Sequence, residues 1–243
     1  MDLHNYYLIA HRGGSLEEAE NTLRAFKYAK NTQIAGIECD IQLTKDLIPV
    51  VFHDDTLHRI SNGNCKTSIK ELSFKELGKI NLSQYFRKPI KEKIPSLDQL
   101  MSLPLEGMFV NLEIKQKDDS FQLLSKVKKN IDECEKHSHS PQFIIGSLSI
   151  PIVLEAYRQD PSSLVAGIID NEEQLQAFIQ ASIPILSINE KMLTPKLIAQ
   201  LKDDNFILWS WTVNDIHRAR ELFDLGVNGI ITDCPAKLKH HLF

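Results

Sequence analysis

Residues 36–55 read GIECDIQLTKDLIPVVFHDD, setting Glu38 and Asp40 two apart among apolar neighbours and bringing His53, beside another acid, a short turn later. Side chains alternate faces along a strand, so Glu38, Asp40 and Gln42 share one side while Ile37, Cys39 and Ile41 share the other. The run FVNLEIK at 109–115 repeats the device, with Asn111, Glu113 and Lys115 on one face. Three carboxylates meeting in a half-buried site repel one another by roughly 4 kcal/mol per pair at about 4 Å and an effective dielectric near 20. Such a set needs a cation. An all-oxygen ligand set without cysteine selects a hard divalent ion, Mg²⁺ or Ca²⁺ with Mn²⁺ as a third option, over zinc or copper.

The stretch AHRGG at 10–14 adds His11 and Arg12, followed by two glycines that would let backbone pass close to a ligand. An imidazole, a guanidinium and close amides suit a phosphate. His11 and His53 together can act as general base and general acid near neutral pH. With a turn centred on Lys45–Ile48, residues whose numbers sum to about 93 face each other, which sets Asp40 opposite His53. The charges therefore read as phosphoester chemistry. Trp209 reads as core and Trp211 as a wall of the site. His4, His58, His137, His139, His217, His240 and His241 lack a matching acid cluster and read as surface residues, and the second His-Arg pair, at 58–59, reads as solvated.

These groups need elements to hold them. Eight β-rich runs recur along the chain: YYLIAH, GIECDIQL, MFVNLEIK, FIIGSL, LVAGII, ILSINE, FILWSWTV and GVNGIITD. Amphipathic stretches lie between most of them, at 17–30, about 96–103, 120–136, 151–159, 171–181, 194–203 and 214–225. Strand–helix alternation predicts a parallel sheet, and eight units in 243 residues suit a TIM (β/α)8 barrel or an open doubly wound sheet; polar side chains recurring at the strand carboxyl ends, where barrel sites lie, favour the barrel. PVVFHD at 49–54 follows too closely for a parallel crossover, so it returns as an antiparallel β-hairpin after strand 2. The irregular segment of about 55–95 reads as a small insertion near the barrel mouth, within one domain spanning 1–243.

Composition sets the outer bounds. Net charge is −4 and the Lys and Arg residues are dispersed, which excludes a phosphate-backbone stripe and hence a nucleic-acid partner. The four cysteines are far apart with no C-x-x-C pair, so they read as free, mostly buried thiols. The opening MDLHNYYLIAHRGG lacks a basic leader and no apolar run reaches membrane-spanning length, giving the expectation of a cytoplasmic chain with no stable membrane insertion.

In order, HRG, ENT, ECDIQLTKD, VVFHDDTLHR, SNG, IPSLDQL, NLEIK, WTVN and GVNGIITDCP resemble the glycerophosphodiester phosphodiesterase family from residue 8 to 235. The resemblance implies a TIM barrel with a small insertion and one divalent cation. Its reaction is hydrolysis of glycerophosphodiesters, such as glycerophosphocholine or glycerophosphoethanolamine, to an alcohol and glycerol 3-phosphate. Carried over by motif, His11 and His53 are the acid–base pair and Glu38, Asp40 and Glu113 the metal ligands. Arg12 and Lys115 are phosphate contacts, Trp211 is a wall for glycerol, and the ENT segment braces the first loop while opening the next helix. Ala19, Leu47 and Cys65 depart from the family pattern, and Leu47 makes a positive-φ hairpin turn costly. The rivals are a phospholipase C- or D-like activity on lipid headgroups, a metal-dependent phosphomonoesterase, and a noncatalytic phosphodiester- or metal-binding barrel.

Overall fold

The computed structural model describes residues 3–87, 91–115, 118–137 and 140–243. Among them, eight parallel strands close into a barrel: β1 Tyr7–Ala10, β2 Gly36–Leu43, β4 Phe109–Ile114, β5 Gln142–Ser147, β6 Leu164–Ile169, β7 Ile185–Asn189, β8 Ile207–Trp211 and β9 Gly229–Thr232, with β1 pairing both β2 and β9. The ninth strand, β3 Pro49–Val51, lies antiparallel against β2 as the expected hairpin. Each of the eight apolar runs became a barrel strand. Tyr7, Ile9, Phe109, Ile144, Ala166, Ile185, Trp209 and Ile231 fill the barrel interior, so Trp209 is core as its position implied. The opposite strand faces pack against the helices in a second, larger apolar layer.

Helices α1 Leu23–Asn31, α4 Leu97–Met101, α5 Ser120–Glu135, α6 Ile150–Gln159, α7 Glu172–Gln180, α8 Pro195–Asp203 and α9 Ile216–Asp224 occupy the amphipathic stretches. The first is shorter than its expected 17–30. Residues 14–22 form turns instead, because Asn21 sits at φ 56 and Thr22 caps α1 through its hydroxyl at Ala25 N. A last helix, α10 Pro235–Leu242, follows the final strand with proline in its first turn, a position where the missing N–H costs nothing.

The insertion holds the one-turn helices α2 Phe74–Leu77 and α3 Leu82–Tyr85 over a small cluster of Val50, Phe52, Leu57, Ile69, Leu77, Leu82 and Ile94; residues 88–90 of it lie outside the described residues. Its hairpin register differs from expectation by one. Ile41 faces Val51 and Gln42 faces Val50, so Asp40 stands level with Phe52, whose N–H donates to Asp40 O, rather than with His53. The turn is shorter because Leu47 does adopt φ 58, a conformation costing a non-glycine residue about 1–2 kcal/mol. Thr44 holds it there: its hydroxyl donates to Asp46 Oδ1 at 2.6 Å and accepts from Ile48 N at 2.9 Å.

Candidate active site

His11, Arg12, Glu38, His53, Asn111, Glu113, Lys115 and Trp211 line one cavity of about 200 Å³ at the strand carboxyl ends. Asp40 lies against it, 1% exposed, with Lys115 Nζ 2.6 Å from its Oδ1. All eight residues singled out for chemistry thus converge, although the sequence spreads them from position 11 to 211. A groove of about 550 Å³ between Met101, Leu103, Cys134 and His137 is larger, but it borders the segment entering β4, at the opposite barrel end. Among the described residues, no acid cluster able to hold a metal lies there.

Strand parity builds the acid face. Glu38 and Asp40 on β2 stand beside Asn111 and Glu113 on β4 in parallel register. One oxygen from each of Glu38, Asp40 and Glu113 falls within 4.8 Å of the others. Lys115 Nζ bridges two of them, 2.6 Å from both Asp40 Oδ1 and Glu113 Oε1. Asp40 Oδ2 also accepts from Asn21 Nδ2 at 2.8 Å and lies 3.3 Å from Arg12 Nε. Burial opposes the charge on Asp40, yet Lys115 and Arg12 outweigh it and hold this carboxyl well below the usual range. Glu38 is the opposite case. Burial and the charge of Asp40 push its carboxyl up to about 8. Its Oε2 accepts only the backbone N–H of Arg12, at 3.0 Å, and its Oε1 is buried without a partner. Three carboxylates confront two cations here, and one of the three keeps a buried oxygen without a partner, which is what a hard cation would satisfy. The donor set fits the ion that the sequence implied.

The segment bearing Arg12 is shaped for this contact. Arg12 sits at φ 52, turning its N–H onto Glu38. Gly13 and Gly14 follow at φ 85 and 100. A Cβ on Gly13 would lie 2.7 Å from Ala25 Cβ, and one on Gly14 3.0 Å from Pro235 Cγ, so the glycines let the turn pack on α1 and α10.

Both imidazoles are held by carboxylates. His11 Nδ1 lies 2.6 Å from Asp233 Oδ1, and Asp233 also accepts from Ser15 Oγ and Asn214 Nδ2. His53 Nδ1 lies 2.7 Å from Asp54 Oδ1. In each pair Nδ1 is engaged and Nε2 is left for the cavity, where His11 Nε2 stands 3.9 Å from Glu38 Oε2. Burial alone would lower the His11 pKa, but the Asp233 hydrogen bond and the charge on Glu38 raise it overall. Asp233 and Asp54 are correspondingly held near 2 despite burial, Asp233 chiefly by His11 and Asp54 by His53 together with Arg59. His53 reaches the cavity although the register is off by one, because β3 ends at Val51 and Gln42 Nε2 gathers the next three carbonyls, of Phe52, His53 and Asp54, at 2.7–3.0 Å. Of the seven other histidines, six are exposed as expected, and His139 lies outside the described residues.

The Glycerophosphoryl diester phosphodiesterase family model matches residues 11–237. The chain belongs to this family. It is 30% identical to the glycerophosphodiester phosphodiesterase of Caldanaerobacter subterraneus subsp. tengcongensis across 95% of both chains. It is 28% identical to that of Bacillus altitudinis across 94% of each. An Oleispira antarctica phosphodiesterase, solved in complex with its product sn-glycerol-3-phosphate, is 25% identical with a TM-score of 0.83 over 96% of this chain and 95% of its own. As a glycerophosphoryl diester phosphodiesterase family member the chain is an enzyme, a phosphoric diester hydrolase. Among the described residues, no helix is long and apolar enough to cross a membrane.

Two parts of this phosphodiesterase site escaped the sequence reading. Asp233 is 222 positions from its histidine, a distance no periodicity spans. Arg59, from the pair read as a solvated surface feature, instead bridges Asp54 at 2.6 Å and Glu20 at 2.5 Å, while Glu20 accepts from Arg12 Nη1 at 3.2 Å. Its guanidinium lies 5.7 Å from the centre of the Tyr85 ring in α3, linking the insertion to the site. The chain of contacts therefore runs from His53 through Asp54, Arg59 and Glu20 to Arg12. The ENT segment does brace the first loop, Asn21 through Asp40 and Thr22 as the cap of α1. Trp211 lines the cavity with its Nε1 donating to Ser187 O at 2.9 Å.

Proposed function

We propose that the chain hydrolyses glycerophosphodiesters such as glycerophosphocholine and glycerophosphoethanolamine to the free alcohol and glycerol 3-phosphate, as one domain over residues 1–243. One divalent cation, Mg²⁺ or Ca²⁺, would be held by Glu38, Asp40 and Glu113. The observation that carries this reading is the meeting, in a single cavity, of two Asp-anchored imidazoles and an acid cluster with an unpartnered buried oxygen. When bound, the cation would draw charge from a nonbridging phosphate oxygen and raise the electrophilicity of phosphorus. Arg12 and Lys115 place positive charge where the phosphoryl oxygens gain negative charge in the transition state, and because Asp40 and Glu20 already hold them, little reorganisation accompanies the reaction.

His11 takes the proton from the nucleophile, either water directly or the glycerol 2-hydroxyl, which would close a cyclic phosphate that a water then opens to glycerol 3-phosphate. The phosphorus–oxygen bond to the headgroup breaks, and His53 gives its proton to the departing alcohol. Relative exposure supports this division: the His53 side chain is 34% exposed and that of His11 19%, so His53 faces the mouth through which a headgroup leaves. Asp233 and Asp54 fix the ring orientations and leave each Nε2 free for proton transfer. An aryl leaving group separates the roles. With a p-nitrophenyl ester of glycerol phosphate, which leaves without a proton, His53→Ala should regain most of the activity it loses on glycerophosphoethanolamine, whereas His11→Ala should stay low on both. Equal losses on both esters for His53→Ala would remove it as the acid.

A further inference from the structure

One side chain in the cavity has no part in the chemistry above. Asn111 projects from β4 into the barrel, 1% exposed, and stands beside Glu38 in the strand register. Neither its Oδ1 nor its Nδ2 has a hydrogen-bond partner. Buried carboxamides are almost always paired, so an amide with both ends open, on the wall of a cavity, faces a site for a polar ligand. Among the described residues, Arg12 Nε and Glu38 Oε1 are the other unpartnered buried atoms at the cavity, and both have charged work: Arg12 Nε lies 3.3 Å from Asp40 and Glu38 belongs to the acid cluster. Only Asn111 is neutral.

Its place is built rather than incidental. Asn111 occupies the layer between Glu113, toward the mouth, and Phe109, in the apolar interior, so it forms the floor of the cavity. The neighbouring strand makes room: a Cβ on Gly146 would come within 2.8 Å of Asn111 Oδ1 and 3.3 Å of Ile168 Cδ1. A carboxamide offers one acceptor and two donors side by side, which matches adjacent hydroxyls that each donate and accept. The glycerol arm of the diester carries such a pair. A choline headgroup offers no donor and would leave the amide unsatisfied, and headgroups vary whereas the glycerol phosphate half does not. Resting on the phosphodiesterase reading above, we propose that Asn111 is the specificity determinant for glycerol, its amide pairing with the glycerol hydroxyls at the cavity floor while the headgroup points to the mouth.

The test is a specificity ratio. kcat/KM is measured with the Mg²⁺-supplemented enzyme on glycerophosphoethanolamine and on bis(p-nitrophenyl) phosphate, which has no glycerol. For Asn111→Leu, which keeps the volume and removes the hydrogen bonds, the ratio of the first to the second should fall about 10- to 100-fold, the scale expected when a buried polar contact to a substrate hydroxyl is lost. Gly146→Ala, which leaves Asn111 in place but displaces its amide, should lower the ratio in the same direction by less. Inhibition by glycerol 3-phosphate should weaken in both variants relative to inhibition by inorganic phosphate. An unchanged ratio, or equal losses on both substrates in both variants, would overturn the assignment and give Asn111 a packing role. A wild-type enzyme inactive on every glycerophosphodiester would instead refute the function on which the assignment rests.

Discussion

Replacing Glu38 by Gln should make the metal-free protein more stable at neutral pH while ending its activity. Burial and Asp40 raise this carboxyl from an ordinary 4.5 to about 8 in the fold. A group raised on folding contributes its full stability below its unfolded pKa and loses it as pH climbs toward the folded value. For Glu38 that window runs from about 4.5 to about 8. Linkage puts the cost at roughly 3 kcal/mol at pH 7 and about 1 kcal/mol at pH 5, using 1.36 kcal/mol per pKa unit. Gln cannot ionise, so it escapes the cost. It still accepts from Arg12 N through its oxygen, as the protonated acid does. The gain is about 3 kcal/mol at pH 7, or about 6–12 °C in Tm for a chain of this size, and about 1 kcal/mol at pH 5. Thermal unfolding of both proteins in EDTA at the two pH values measures it. A variant less stable than wild type at pH 7, or a gain of the same size at pH 5, would refute the reasoning that Glu38 is an acid held for a ligand rather than for the fold.

Other outcomes follow from the same geometry. Metal affinity, read by calorimetry, should rise from pH 5 to 8 with release of close to one proton per ion, because the cation displaces the proton that Glu38 carries; an affinity independent of pH would contradict this. Asp233→Asn removes the hydrogen bond and charge that raise the His11 pKa, so that group should titrate lower and kcat should fall by about 10²–10⁴, with the pH–rate profile of kcat/KM displaced to lower pH. Arg59→Ala frees Asp54 and Glu20 together and should cost about 10- to 100-fold in kcat/KM with a Tm drop of a few degrees, which Arg59→Lys recovers only in part because an ammonium cannot span both carboxylates as a planar fork does.

The strands and the charges at their ends were legible in the sequence because both follow from the two-residue period of a strand: Glu38, Asp40, Glu113 and Lys115 share the barrel interior as parity requires. Parity could not fix the hairpin register. That depended on Leu47 accepting a positive φ, which the Thr44 and Asp46 side chains make tolerable, and on Gln42 collecting the His53 segment beyond the end of β3. The glycines after Arg12 also let the turn pack on two helices, a role hidden in the sequence because it depends on neighbours 12 and 221 positions away. The insertion offered a local signal that went unread. Ser68 with Glu71 and Ser73 with Glu76 are S-x-x-E pairs, as Ser96 with Gln99 is an S-x-x-Q pair at the start of α4, and each closes a capping box. Asp233 and Arg59 carried no such signal, since a hydrogen bond between distant loops leaves no spacing to detect.

The central claim is that a divalent cation at Glu38, Asp40 and Glu113 and the two histidines together hydrolyse glycerophosphodiesters. Release of glycerol 3-phosphate from glycerophosphocholine and glycerophosphoethanolamine, followed after EDTA treatment and after add-back of Mg²⁺, Ca²⁺ or Mn²⁺, tests it most directly. EDTA should abolish release, at least one of the three ions should restore it, and none of them should restore it in Glu113→Gln. Glycerol 3-phosphate released at full rate in EDTA, or none released under any ion, would contradict it.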